Sequence, residues 1–148
     1  IHGGDSMKLT RGGEYGIRGV LYLARQDEVK VSMLSAVAKA QGAPPRFLAK
    51  IFQALAKAGI VKSHRGAKGG FSLAKPAAEI TIKDVIEAVE GPIHLNVCLI
   101  GEGECDQDKV CAVHPIWKEA QEKMMSVLAR GNFADLAKAE RQTRMTAP

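Results

Sequence analysis

Apolar residues recur at helical spacing through most of the chain and change to strand-like order only once. The first helix is predicted from Thr10, its cap, to about Arg25, with Tyr15, Ile17, Val20, Leu21 and Ala24 approximating one apolar face. Gly12, Gly13, Gly16 and Gly19 interrupt it. Each glycine costs a helix interior about 1 kcal/mol relative to alanine, so another element is expected to pack close to this backbone. A second helix is predicted after a Ser32 cap, with Leu34, Val37 and Ala38 inward and Gly42 at its end. Pro44 and Pro45 open a third, with Phe47, Leu48, Ile51, Phe52, Leu55 and Ala58 as its buried stripe and Gly59 as its stop.

The period then shortens. IVKSHRGAKGGFSL, from Ile60 to Leu73, places two short runs of β-branched or aromatic residues around a basic, glycine-rich turn, which predicts a β-hairpin. Thr81 starts a fourth helix on Ile82, Val85, Ile86 and Val89, closed by Gly91 and Pro92. Pro115 launches a longer one to about Arg130, with Ile116, Trp117, Ala120, Met124, Val127 and Leu128 on a broad face. Gly131 ends it and Asn132 caps a short last helix through Leu136. ERQTRMTAP at the end has no apolar period and is expected to be disordered. The predicted fold is mostly α with a small β-hairpin wing: a winged helix-turn-helix followed by a long helix.

Charge sharpens this picture. The 148 residues carry a net +5, but between Glu28 and Glu79 there is no acidic residue and there are nine basic ones. The rest of the chain has 12 basic against 16 acidic residues, a net of −4. A cationic segment inside a mildly anionic chain is the footprint of a polyanion partner. In the third helix Arg46, Lys50, Gln53 and Lys57 fall off the apolar stripe and are free to meet bases and phosphates of double-stranded DNA in the major groove. At the hairpin, Arg65 and Lys68 sit among glycines that permit close approach to the duplex, and His64 stands beside them as a further DNA contact or a solvent-facing strand residue. GAKGGF lacks the lysine-serine/threonine ending of a phosphate-binding loop. No nucleophile–base pair suggests an enzyme. No apolar run approaches the roughly 18 residues of a membrane span, and the sparse, odd set of thiols points to a reducing cytoplasm. IHGGDS ahead of Met7 reads as an expression-tag remnant.

All three cysteines fall in CLIGEGECDQDKVCAVHPIW, from Cys98 to Trp117, in the order C-x6-C-x5-C-x2-H. Three thiols cannot all pair as disulfides. Structural zinc favours a tight pair two to four residues apart, and none exists here. Cys98, Cys105 and Cys111 are spaced for a larger body such as an iron–sulfur cluster, with Gly101 and Gly103 letting the chain wrap it. Zinc, free redox thiols or no role remain alternatives on spacing alone. Three cysteines leave one iron site to another ligand, and His114 is the local candidate, a helix-capping role being its competitor. His94 is assigned no role.

MKLTRGGEYGIRGVLYLA, PPRFLAKIFQALAKAGIVKSHRGAKGGFSLAKP and ITIKDVIEAVEG together resemble the IscR/NsrR/RirA group of bacterial winged-helix regulators, the Rrf-two family, from Met7 to about Ala137. SHRGAKGGFSLAKP is the most specific element; Lys68 stands where glycine is frequent. The resemblance implies a homodimer held by the helix from Pro115, binding to palindromic operators, mostly as a repressor, and a [2Fe–2S] or [4Fe–4S] cluster on Cys98, Cys105 and Cys111. It also implies two candidates for the fourth ligand: His114, or Glu14 supplied from the other subunit, whose alternative is a solvated glutamate favoured by the helix dipole. The expected organisation is a remnant over 1–6, a winged domain over 7–92, a cysteine segment over 93–113, dimerisation and short C-terminal helices over 114–138, and a tail over 139–148. A ligand set weaker than four thiolates implies a sensor of redox stress, nitric oxide or iron status. The rival class is a small iron–sulfur electron carrier, for which a basic wing has no use.

Overall fold

The stretch read as a hairpin is one: β1 (Val61–His64) pairs antiparallel with β2 (Gly70–Leu73), with Val61 opposite Leu73 and His64 opposite Gly70. The computed structural model describes residues 9–26, 30–94 and 112–146. Around the hairpin lie α1 (Arg11–Arg25), α2 (Leu34–Gln41), α3 (Pro45–Lys57), α4 (Ile82–Glu90), α5 (His114–Arg130) and α6 (Phe133–Thr146), with a short 3-10 turn at Ala77–Glu79. Among the described residues no helix is long and apolar enough to cross a membrane.

Thr10 caps α1, accepting the Gly13 N–H at 3.3 Å. The face of α1 that points inward differs from the one its apolar residues outline. Gly13, Gly16 and Gly19 are buried with Val20 and Leu23, whereas Tyr15, Ile17, Leu21 and Ala24 pack only partly against the core. The glycines are there because neighbouring elements occupy the space a side chain would fill. A Cβ on Gly19 would come within 2.5 Å of Phe52 in α3, and one on Gly16 within 3.0 Å of Val89 in α4. Phe52 is fully buried and forms the centre of the core with Leu48, Leu55, Val20, Val37, Ile80, Val85 and Phe133.

Ser32 does not cap α2. Met33 holds the N-cap position without a side-chain bond, and Ser32 instead exchanges two backbone hydrogen bonds of 2.8 Å with Phe71. Ser32 thus extends the hairpin sheet by one bridge and ties the wing to the start of α2. A side chain on Gly70 would overlap the Ser32 carbonyl. Phe71 in turn packs edge-on against Phe52, with ring centroids 5.0 Å apart. The stripe of α3 is also narrower than expected: Phe47 is 37% exposed, and Ala58, past the end of the helix, is exposed.

The N-terminus of α4 carries a full capping box, Thr81 accepting from the Asp84 N–H and Asp84 accepting from the Thr81 N–H. The C-terminal part of the chain is longer in helix than its apolar period suggests. Asn132 caps α6 as expected, accepting the Asp135 N–H at 3.0 Å, but the helix passes Leu136 and runs through the expected tail to Thr146. Polar contacts account for this. Glu140 pairs with Arg25 of α1 and with Arg144 one turn on, each at 3.1 Å, and Arg141 donates to the Arg25 carbonyl at 3.0 Å. Phe133 seats the start of α6 in the core, and its N–H donates to the Ile80 carbonyl at 3.0 Å. Ahead of these anchors, α5 has no buried residue.

Candidate nucleic-acid interface

Residues 46, 50, 53 and 57 follow one another in steps of 4, 3 and 4, which puts them on one strip of an α-helix. The opposite side of α3 carries Leu48, Ile51, Phe52 and Leu55 into the core. Arg46, Lys50, Gln53 and Lys57 are all exposed, so the structure brings this part of the expected set together on a surface facing away from the domain. Pro45, early in α3, supplies the fixed φ that suits the first turn and needs no hydrogen bond from its nitrogen.

The wing continues the cationic surface. Arg65 and Lys68 are exposed in the turn between β1 and β2. The turn closes with the Gly69 N–H donating to the Gly66 carbonyl at 2.9 Å, and Gly66 has φ +107°, a conformation that favours glycine. His64 is used differently from the tip cations. It is half-buried, and its Nε2 lies 2.7 Å from the Oγ of Ser72, which is 5% exposed. That bond braces the two strands and leaves Arg65 and Lys68 as the outward groups of the wing.

Cys98, Cys105 and Cys111 lie outside the described residues. The two further ligand candidates are described. Glu14 is exposed in the first turn of α1. His114 is the first residue of α5, with Val113 as the N-cap and no side-chain capping bond, so it does not serve as the cap of its helix. Its Nδ1 is buried without a hydrogen-bond partner among the described residues. His94, to which the sequence assigned nothing, shows the same orphaned Nδ1 at the other end of the cysteine segment.

A family model for Rrf2, described as an iron-dependent transcriptional regulator, matches residues 9–139. The chain belongs to the Rrf2 family. Its relatives include an HTH-type transcriptional regulator of Mycobacterium tuberculosis, 36% identical over 132 residues that cover 88% of this chain and 81% of the other. Among solved Rrf2-like structures, IscR of T. potens superposes with a TM-score of 0.76 at 26% identity, covering 95% of this chain and 93% of that one. CymR, the global cysteine regulator of B. subtilis, superposes with a TM-score of 0.69 at 28% identity, covering 89% and 97%. The α3 strip and the wing therefore belong to a DNA-binding winged-helix regulator, and the family is one of regulators, not enzymes.

Proposed function

We propose that this Rrf2 regulator is a homodimer that binds a palindromic operator, mostly to repress, and that an iron–sulfur cluster on Cys98, Cys105 and Cys111 governs its occupancy. The observation that carries the dimer is α5. Val113, Ile116, Trp117 and Val127 are 44%, 63%, 42% and 54% exposed. Positions 113, 116, 120 and 127 are spaced by 3, 4 and 7 residues, the seam of a paired helix. A second copy of the same seam would cover it, and the symmetry of such a pair matches that of a palindromic site.

The donor set fits the cluster. Thiolates are soft ligands suited to iron–sulfur iron, His114 presents a buried nitrogen with no partner among the described residues, and the family description is itself iron-dependent. When bound, the group supplies a centre sensitive to oxidants and to iron supply. His114, or Glu14 of a second subunit, would complete the set with a donor weaker than a fourth thiolate, which favours a sensor over a structural staple. The segment that bears the cysteines joins α4 to α5, so ordering it would bear on how the two α3 helices are spaced. A second reading keeps the fold and puts zinc or free redox thiols at the same three cysteines.

Anaerobic purification followed by iron, sulfide and zinc assays and a visible spectrum tests this. The expected result is a brown protein with iron and sulfide, lost when Cys98, Cys105 and Cys111 are all replaced by serine. A colourless wild type with stoichiometric zinc would transfer the proposal to the second reading.

A further inference from the structure

Arg11 is not on the α3 strip, yet it shares with Lys50 the lining of a groove of about 460 Å³ between α1, α3 and α4. Arg11 and Gly12 line it from α1, Phe47, Lys50 and Ala54 from α3, and Val89 from α4. We propose that Arg11 and Lys50 clamp one backbone phosphate of the bound duplex, and that Glu90 positions Arg11 for it. This deepens the DNA-binding reading and rests on it.

Three features support the clamp. Lys50 belongs both to the strip and to the groove, so the groove opens beside the surface that meets DNA. Arg11 and Lys50 are exposed, and neither forms an ion pair with a described residue. Phe47, held edge-on by Tyr15 at 5.7 Å, and Val89 give the groove an apolar wall that suits deoxyribose.

Glu90 explains how Arg11 is held. It is the last residue of α4, an end where its own helix dipole disfavours a carboxylate. Its Oε1 instead accepts the Thr10 N–H at 2.7 Å and the Thr10 hydroxyl. A Cβ on Gly13 would come within 2.7 Å of that oxygen, so the glycine makes room for the carboxylate. Thr10 is the cap of α1 and Arg11 the next residue, so the hold on Thr10 sets where the Arg11 side chain leaves the backbone. Glu90 is a positioning residue, acting through Arg11.

The test is fluorescence anisotropy with the full chain and a mixed-sequence duplex of about 30 base pairs, between about 50 and 200 mM salt. Arg11→Ala is expected to weaken binding about fivefold, and Arg11→Ala with Lys50→Ala to lower the slope of log affinity against log salt by about 1.8 for the dimer, the signature of one phosphate per subunit. Glu90→Gln should weaken the wild type about threefold and leave the Arg11→Ala variant unchanged, the non-additivity expected of groups acting as a unit. Melting temperatures of the variants should stay close to that of the wild type. Wild-type affinity and slope in Arg11→Ala would overturn the clamp. An equal loss from Glu90→Gln in both backgrounds would overturn the positioning role. Lys57→Ala separates the two levels: if it weakens binding and Arg11→Ala does not, the clamp alone falls, whereas a wild type with salt-independent binding takes the DNA reading and the clamp down together.

Discussion

Helices α3 and α5 both turn a face to solvent, and the two faces have opposite chemistry. The outer strip of α3 is Arg46, Lys50, Gln53 and Lys57, while its inner side seats four residues in the core. The outer side of α5 is Ile116, Trp117 and Val127, with Val113 at its N-cap, and no residue of the helix is buried within the subunit. A polar strip is stable in water whether or not a partner is present. An apolar seam is not, because leaving a side chain of this size exposed forgoes about 1.5–3 kcal/mol of burial. Read together, the faces describe a molecule whose α3 offers charge to a ligand and whose α5 would gain burial from the second copy proposed above. Pairing through α5 would also place two α3 strips on one duplex, so the second face multiplies the first.

The largest effect should come from breaking the apolar face. Ile116→Glu with Val127→Glu puts charges in the seam and is expected to give monomers in light scattering. Operator affinity should fall by about 1,000-fold, because each half-site is then bound without the avidity of the pair. Dimers with undiminished affinity would show that the seam serves something else. The polar face comes next. Arg46→Ala with Lys57→Ala should leave the dimer intact and weaken binding about 100-fold near 0.1 M salt, with the salt slope reduced by up to about 3.6 for the four cations lost per dimer. The smallest effect belongs to neither face. Glu140→Ala removes the link from α6 to α1, whose side chains are 27% and 15% exposed for Glu140 and Arg25, and should cost about 1–2 kcal/mol in urea unfolding while leaving DNA affinity unchanged.

The contrast also explains what could be read from the chain before its structure. The α3 strip was legible because its polar residues interleave with a strong apolar stripe. The caps Thr10 and Thr81 and the basic hairpin were legible because their chemistry is local. The inner face of α1 was not: glycine carries no apolar signal, and only the proximity of Phe52 and Val89 shows why Gly16 and Gly19 are there. Ser32 looked like a cap because serine commonly is one, but the pairing with Phe71, 39 positions away, took its backbone into the sheet. The extension of α6 depends on Arg25, Glu140, Arg141 and Arg144, a polar network that no hydrophobic period records. Arg11 and Glu90 were missed for the same reason: their relation crosses 80 positions of chain between Thr10 and Glu90. The thiol spacing suggests a ligand pattern, but Cys98, Cys105 and Cys111 lie outside the described residues, and of the further candidates His114 has an Nδ1 without a partner among the described residues.

Operator binding measured on one anaerobic preparation, first with its iron–sulfide content intact and then after chelation, tests the central claim most directly. The account predicts affinities at least about tenfold apart, a coupling of about 1.4 kcal/mol, and no such difference when Cys98, Cys105 and Cys111 are serine. Equal affinities in the two states of the wild type, with iron and sulfide shown to have been present and then lost, would contradict it.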